Sequence, residues 1–295
     1  MATDPLKMLS PAARALLEEI PAVGAPVYET AVVTFIDILG FRSLVASKPP
    51  RQVANAIARL QETVHGTAAA DDARPLNPSR VHAFSDCIVR VRPVSNGKEA
   101  DILAEELADL AGIQTALTRT GIFIRGGVSS GEIHSTDTIV FGPALIRAYE
   151  MESQLAHAPR IIVDPVTIQA VRDRPVTNYR MRKDIAALRQ SIRQADDGLW
   201  FIDYLRASAR MLSADSRAVR DLLRQHGDSV TAAAADIAVG SSVLPKYLWA
   251  ARYHNASCAR ILKKSSAPGV TISKTAMPSY ERLRPPLVLT RNSVL

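Results

Sequence analysis

Two carboxylates stand where strands should end. Thr30-Ala-Val-Val-Thr-Phe-Ile-Asp37 is too short and too β-branched for a helix and reads as a buried strand closing on Asp37, with a Gly-Phe turn at Gly40 and Phe41. Asp86 lies between two further strand-like runs, Arg80–Phe84 and Cys87–Val91. Ser85 and Asp86 are the only turn-formers between them, so a tight hairpin with Asp86 at its tip is expected. If the hairpin pairs beside the first strand, the two carboxylates meet at one sheet edge, and such a pair shares a proton or binds a divalent cation. The plainer alternatives are that Asp37 caps the next helix and Asp86 serves only the turn. A cation for anionic groups follows in Ile122-Phe-Ile-Arg125, beside Gly126 and Gly127. The glycines allow close backbone approach and a guanidinium grips phosphate in a fork, unless Arg125 is simply a surface residue of an edge strand.

Helical spacing over 50–67 (Val53, Ile57, Leu60, Val64) and 99–117 (Ile102, Leu103, Leu107, Leu110, Ile113) brackets the hairpin. A loop is expected over 68–79, a strand over 121–133, a helix over 142–155 and a strand over 160–163. The order strand, helix, hairpin, helix, strand, helix, strand predicts an α+β fold with a mainly antiparallel sheet flanked by helices. Before this core, residues 1–27 form an extension in which Ser10-Pro11 starts a helix carrying Leu16, Leu17 and Ile20. After it, residues 173–295 are basic and mostly helical, with one further strand at Gly198–Tyr204 and helix expected over 213–265. That gives three parts: 1–27, 28–172 and 173–295.

At 295 residues and 47% hydrophobic, the chain has ample material for a packed core. No run reaches the roughly 18 apolar residues of a spanning helix, and the start lacks a signal-peptide pattern, so a soluble cytoplasmic protein without membrane partners is expected. The net charge of +7 suits a polyanionic partner such as a nucleoside triphosphate; no nucleic-acid motif accompanies it. Cys87 and Cys258 have no metal-type spacing, and Cys87 reads as a small buried apolar residue of its strand.

Four segments, in order, resemble the class III nucleotidyl cyclases. Phe35-x-Asp37-Ile38-x-Gly40-Phe41 is similar to their first metal motif, Phe84-Ser85-Asp86 to their second, and Arg125-Gly-Gly127-Val-Ser-Ser-Gly131 to their Arg-x-Gly-x-x-x-Gly strand; Gly142 with Leu145, Ala148 and Met151 resembles their transition-state helix. The resemblance covers about 28–172, and the tail is similar to that of the bacterial pyrimidine cyclases of the Pycsar anti-phage system. It implies a ferredoxin-like core with an appended helical C-terminal region. It implies two Mn²⁺ or Mg²⁺ ions held by Asp37, Asp86 and the Ile38 carbonyl, with Arg125 on the triphosphate. It also implies a homodimer with interfacial active sites, and a product read by a separate effector. The family's transition-state asparagine and arginine correspond here to Ile146 and Glu150, leaving Arg147 as the nearest replacement. Its purine-reading lysine and aspartate correspond to His82 and Ile139. The expected reaction is therefore conversion of UTP, with CTP as the alternative, to the 3′,5′-cyclic monophosphate and pyrophosphate. A catalytically inactive nucleotide-binding module is the other reading.

Overall fold

The alternation of one strand sets the architecture. In β1 (Glu29–Ile38), Ala31, Val33, Phe35 and Asp37 face one way and Val32, Thr34, Ile36 and Ile38 the other. Ala31, Val32, Val33, Thr34 and Ile36 are all buried, so β1 needs cover on both faces and lies inside the sheet. The computed structural model describes residues 10, 26–72, 79–95, 98–173, 179–212, 216–235, 237–238, 240–262, 269–273 and 276–277. The helix expected from Pro11 onward lies outside the described residues.

After β1, Gly40 turns the chain at φ 78° into α1 (Phe41–Ser47), a left-handed conformation that suits glycine. The core continues through α2 (Pro50–Asp72), the hairpin β2 (Arg80–Phe84) and β3 (Cys87–Pro93), α3 (Glu99–Arg119) and β4 (Ile124–Ser135). Next come β5 (Val140–Phe141), α4 (Pro143–Glu150), a π-helical turn (Met151–Leu155), β6 (Ile161–Val163) and α5 (Pro165–Arg172). The remaining elements are α6 (Tyr179–Ser191), β7 (Ile192–Gln194), β8 (Trp200–Ile202), α7 (Tyr204–Met211), α8 (Ser216–Ala235) and α9 (Leu244–Ile261).

The eight-stranded sheet has the order β2-β3-β1-β4-β6-β8-β7, with β5 paired to β4. Every pairing is antiparallel except β4 with β6. The first four strands and the helices between them form the β-α-β-β-α-β ferredoxin-like unit, so the expected α+β class holds. Residues after 172 extend this sheet through β7 and β8, and their helices share its main core cluster, which runs from Val32 and Ile36 to Tyr253 and Cys258.

Several boundaries differ from expectation for physical reasons. The strand expected from 121 starts at Ile124, because Gly121 (φ 79°) and Ile122 close the end of α3. Their N–H groups bond the Thr118 and Leu117 carbonyls at 2.9 and 3.0 Å, the Schellman pattern. The helix expected over 50–67 runs on to Asp72, so part of the expected loop is helical. The expected helix over 213–265 is two helices, with Gly240 at φ 99° between them.

On one sheet face, α3 and helices of the C-terminal region cover the main core. On the other, α4 packs on Ala31, Val33, Val89, Val91 and Ile133 through Ala144 and Ala148. This second contact depends on Gly127, where a Cβ would lie 2.3 Å from the Ala148 carbonyl oxygen. The close backbone approach expected beside Arg125 is made at Gly127 by a helix.

Candidate active site

Register brings the acidic residues together. Asp37 is opposite Cys87 on β3 and opposite Arg125 on β4, and Phe84 is opposite Cys87. Directly opposed residues of antiparallel strands point to the same face. Phe84, Cys87, Asp37 and Arg125 therefore form one row on the α4 side. The β2–β3 loop is the two-residue turn expected, with Ser85 at φ 54° and Asp86 next. It is so short that Asp86 must stay at the row's edge. One ligand atom each of Asp37, Asp86 and Cys87 lie within 4.8 Å of one another.

A third carboxylate joins from the chain's only described π-helical turn. The helix expected over 142–155 stops being α-helical at Glu150, and the wider turn Met151–Leu155 carries Glu152 against the row. Gly127 permits this too, since its missing Cβ would lie 2.8 Å from Met151 Cβ. Such turns recur at functional sites. Glu152 is 3% exposed as a side chain, with Oε1 2.7 Å from Arg125 Nη2.

Arg125 is thus shared. Its Nε and Nη2 donate to Asp37 Oδ2 at 3.2 and 3.0 Å, and Nη2 also pairs with Glu152. One guanidinium among three carboxylates leaves an acidic excess. Burial, a hydrogen bond with Asp86, and the Glu152 and Asp86 charges push the Asp37 carboxyl up to about 7, against the opposing pull of Arg125. Burial also raises Glu152. A crowded, partly dehydrated pair of carboxylates is the donor set that a hard divalent cation relieves, so Asp37 and Asp86 fit Mg²⁺ or Mn²⁺. Ile38 closes β1 beside them, with its side chain buried on the opposite face.

The other expected site residues are more dispersed. His82 shares a row with Val89 and Phe35, two strand spacings or about 10 Å across the sheet from the β1 strand of Asp37. Its Nε2 lies 3.0 Å from Ser135 Oγ, and burial lowers its pKa. Ile139 is 38% exposed in the β4–β5 turn, where its N–H donates to Thr136 Oγ1 at 3.1 Å. Arg147 does not meet Asp37 within the chain. It donates to Asp164 Oδ1 at 3.1 Å and lies 3.9 Å from Glu150. Asp164 bonds the Val128 carbonyl through its N–H, three residues along β4 from Arg125, roughly 10 Å.

Three participants escape the sequence reading. Glu152 was inside an expected plain helix. Cys87 is not the buried apolar residue expected: it is half-exposed, with Sγ 3.9 Å from Asp37 Oδ1, because pairing with Asp37 turns it toward the acidic row. Burial and the neighbouring carboxylates push its thiol up to about 12. The third is Lys246 on α9, whose ammonium interacts with Arg125, Asp37 and Glu152. Among the described residues no helix is long and apolar enough to cross a membrane.

No known family profile and no curated protein matches the chain. Solved structures do. The adenylyl cyclase CyaB from P. aeruginosa matches at TM-score 0.43 and 14% identity, over 60% of this chain and 95% of that one. The guanylyl cyclase Cya2 matches at TM-score 0.38 and 15% identity, over 60% and 93%. A class III adenylyl cyclase-like ATP-binding protein from Pseudomonas aeruginosa matches at 0.38 and 13%, over 48% and 35%. At these values the likeness is coarse, and the site's own residues carry the chemistry.

Proposed function

We propose that the chain is a nucleotide cyclase that converts UTP, and less readily CTP, to the 3′,5′-cyclic monophosphate and pyrophosphate. The observation that carries this reading is the convergence of Asp37 and Glu152 on the Arg125 guanidinium with Asp86 against Asp37, which drives the Asp37 carboxyl up to about 7. Asp37, Asp86 and the Ile38 carbonyl would hold two Mn²⁺ or Mg²⁺ ions. Bound there, such ions make the ribose 3′-hydroxyl more acidic and offset the charge of the leaving pyrophosphate.

The protein's own residues do the rest. Once the carboxylates have another partner, Arg125 is free to turn its fork to the triphosphate. Glu152 limits where that guanidinium can go. His82 stands about two strand spacings from β1 and offers a ring N–H to the O4 acceptor of uracil, while Ile139 offers nothing to an amino group. A site built around one hydrogen bond rejects bases that leave its polar group unpaired.

The active form is a homodimer with interfacial sites. Arg147 is too far from Asp37 in its own chain and serves the site of the other copy. Tyr149, 52% exposed, packs edge-on to Phe35 at 5.3 Å, and Ile146 and Phe84 are 60% and 83% exposed on the same side. A second copy would cover these residues. The cyclic product would act on a separate effector, a role that rests on the family resemblance.

The test is purified chain with equal concentrations of the four nucleoside triphosphates and Mn²⁺, with cyclic products resolved by mass. Cyclic UMP should dominate. A dominant purine product would overturn the base assignment, and absence of every cyclic product would overturn the enzyme. The second reading, an inactive nucleotide-binding module, is favoured by one observation: Arg147, the helix cation nearest the family's catalytic positions, is paired with Asp164.

A further inference from the structure

The first turn of α9 is anchored at the end of β1 that carries Asp37. Leu39 and Phe123 are joined by a Leu39 N–H to Phe123 carbonyl bond of 2.8 Å, and both are buried in one cluster with Val230, Leu244, Leu248 and Ala251. Tyr247 packs edge-on to Phe123, ring centroids 5.1 Å apart at 86°. Leu39 is two residues from Asp37 and Phe123 two from Arg125, so both strand ends of the acidic row are held by this helix. Residues 244, 247 and 248 make one helical face. Lys246 lies off that face and is half-buried.

Its charge is felt at the site. Burial and then the Arg125 charge lower the Lys246 pKa, while Asp37 and Glu152 pull it up, and Lys246 in turn pulls the Glu152 carboxyl down against its burial. Yet among the described residues it forms no direct ion pair, because Arg125 already holds both carboxylates. Formally, three carboxylates face two cations, one net negative charge. Two divalent ions would turn that into three net positive charges, close to the about four negative charges of a free triphosphate. A lysine is a compact charge on a flexible stem and suits a mobile polyphosphate.

We infer that Lys246 is a phosphate-binding residue: the C-terminal region delivers its ammonium to the triphosphate held at Asp37 and Asp86. This rests on the proposed cyclase reading and adds to it a contact from outside the segment that resembles the family.

The test uses inorganic tripolyphosphate with Mn²⁺ and the full chain, read by calorimetry. Lys246→Gln should weaken binding tenfold or more, as expected for a lost charge-assisted contact. Lys246→Arg should restore most of it, with melting temperatures unchanged. The preference among UTP, CTP, ATP and GTP should not move, since the contact is to phosphate alone. Equal affinity in Lys246→Gln would overturn the assignment, and so would a loss that Lys246→Arg fails to restore, which would make Lys246 a packing residue. A wild-type chain that binds no Mn²⁺–tripolyphosphate would overturn the cyclase reading itself, an outcome distinct from the failure of Lys246 alone.

Discussion

Two carboxylate–guanidinium clusters sit on opposite faces of β1, three residues apart, and they are balanced differently. Beneath Thr34, Glu106 receives the Arg90 fork at 3.0 and 3.0 Å, Arg92 Nε at 3.2 Å and the Thr34 hydroxyl at 2.7 Å; Asp109 takes Arg92 Nη2 at 2.6 Å. Burial alone would raise Glu106, but two guanidiniums overcome it and hold the carboxyl at about 2. Beside Asp37, burial acts in the same direction and one shared guanidinium loses, so the carboxyl rises to about 7. The balance of charges, not depth, separates them, since Glu106 is the more deeply buried. A closed cluster fixes the sheet to α3. An open one leaves a demand for cation, which is what a metal-dependent site requires before its metal arrives.

The sharpest way to break the comparison is to remove one carboxylate from each cluster. Asp86→Ala, or Asp37→Ala, should cost turnover about a thousandfold or more, roughly 4 kcal/mol. Its melting temperature without metal should hold or rise, because a mutually repelling carboxylate is gone. Glu106→Ala should do the reverse. It takes from Arg90 and Arg92 the buried carboxylate that they share and should cost about 3–5 kcal/mol of stability. Full activity in either aspartate variant, or an unperturbed melt for Glu106→Ala, would erase the distinction.

Acid separates the clusters next. Glu106 has a depressed pKa in the fold, moving from 4.5 to about 2. Its contribution is therefore fully present above the unfolded value and is lost as pH falls through the window from 4.5 toward 2. The contribution is on the order of 3 kcal/mol. The difference in unfolding free energy between wild type and Glu106→Gln should accordingly shrink between pH 6 and pH 3 in urea titrations. A constant difference would mean that the guanidiniums do not hold Glu106 ionised.

Much of the open cluster was legible in the sequence, and almost none of the closed one. Asp37 and Asp86 could be read because each follows or interrupts an apolar run, where a carboxylate has no local reason to be. The α+β order followed from the same runs. Glu152 could not be read, because its position depends on a π-helical turn that no spacing announces. Lys246 could not be placed either; only tertiary packing of Tyr247 on Phe123 brings it to the sheet end. Arg90 and Arg92 alternate with Val89 and Val91 as an exposed strand face would, so their burial is a matter of what α3 carries opposite them. Gly127 was read for close backbone approach, and the helix that makes the approach, α4, could be named only from the fold.

That glycine gives a smaller, sharper cut. Gly127→Ala places a methyl 2.3 Å from the Ala148 oxygen and 2.8 Å from Met151 Cβ, so α4 and the π-helical turn must move. The stability cost should be about 1–3 kcal/mol, and Glu152 should leave Arg125. The closed cluster is on the other face and should be untouched. Mn²⁺-dependent turnover should therefore fall while the Glu106 acid response stays as in wild type. An active Gly127→Ala chain would detach Glu152 from the site.

The smallest effect is read without turnover. A ligand that binds only the folded state adds RT ln(1 + [L]/Kd), about 1.4 kcal/mol at ten times Kd, and for a chain of this size that is about 2 °C. Mn²⁺ should raise the melting temperature of wild type by that order. The open cluster predicts that Asp37→Asn and Asp86→Asn lose the shift, since each keeps the side-chain shape but removes a charged oxygen donor. It predicts that Arg125→Gln enlarges the shift, because the guanidinium competes for Asp37 Oδ2 at 3.0 Å. Glu106→Gln should start from a lower melting temperature and show the wild-type shift. The four variants thus distinguish a cation drawn to the Asp37 row from one that stabilises the fold non-specifically. A shift that survives in both asparagine variants would place the ion elsewhere and leave the acidic excess around Asp37 without a chemical purpose.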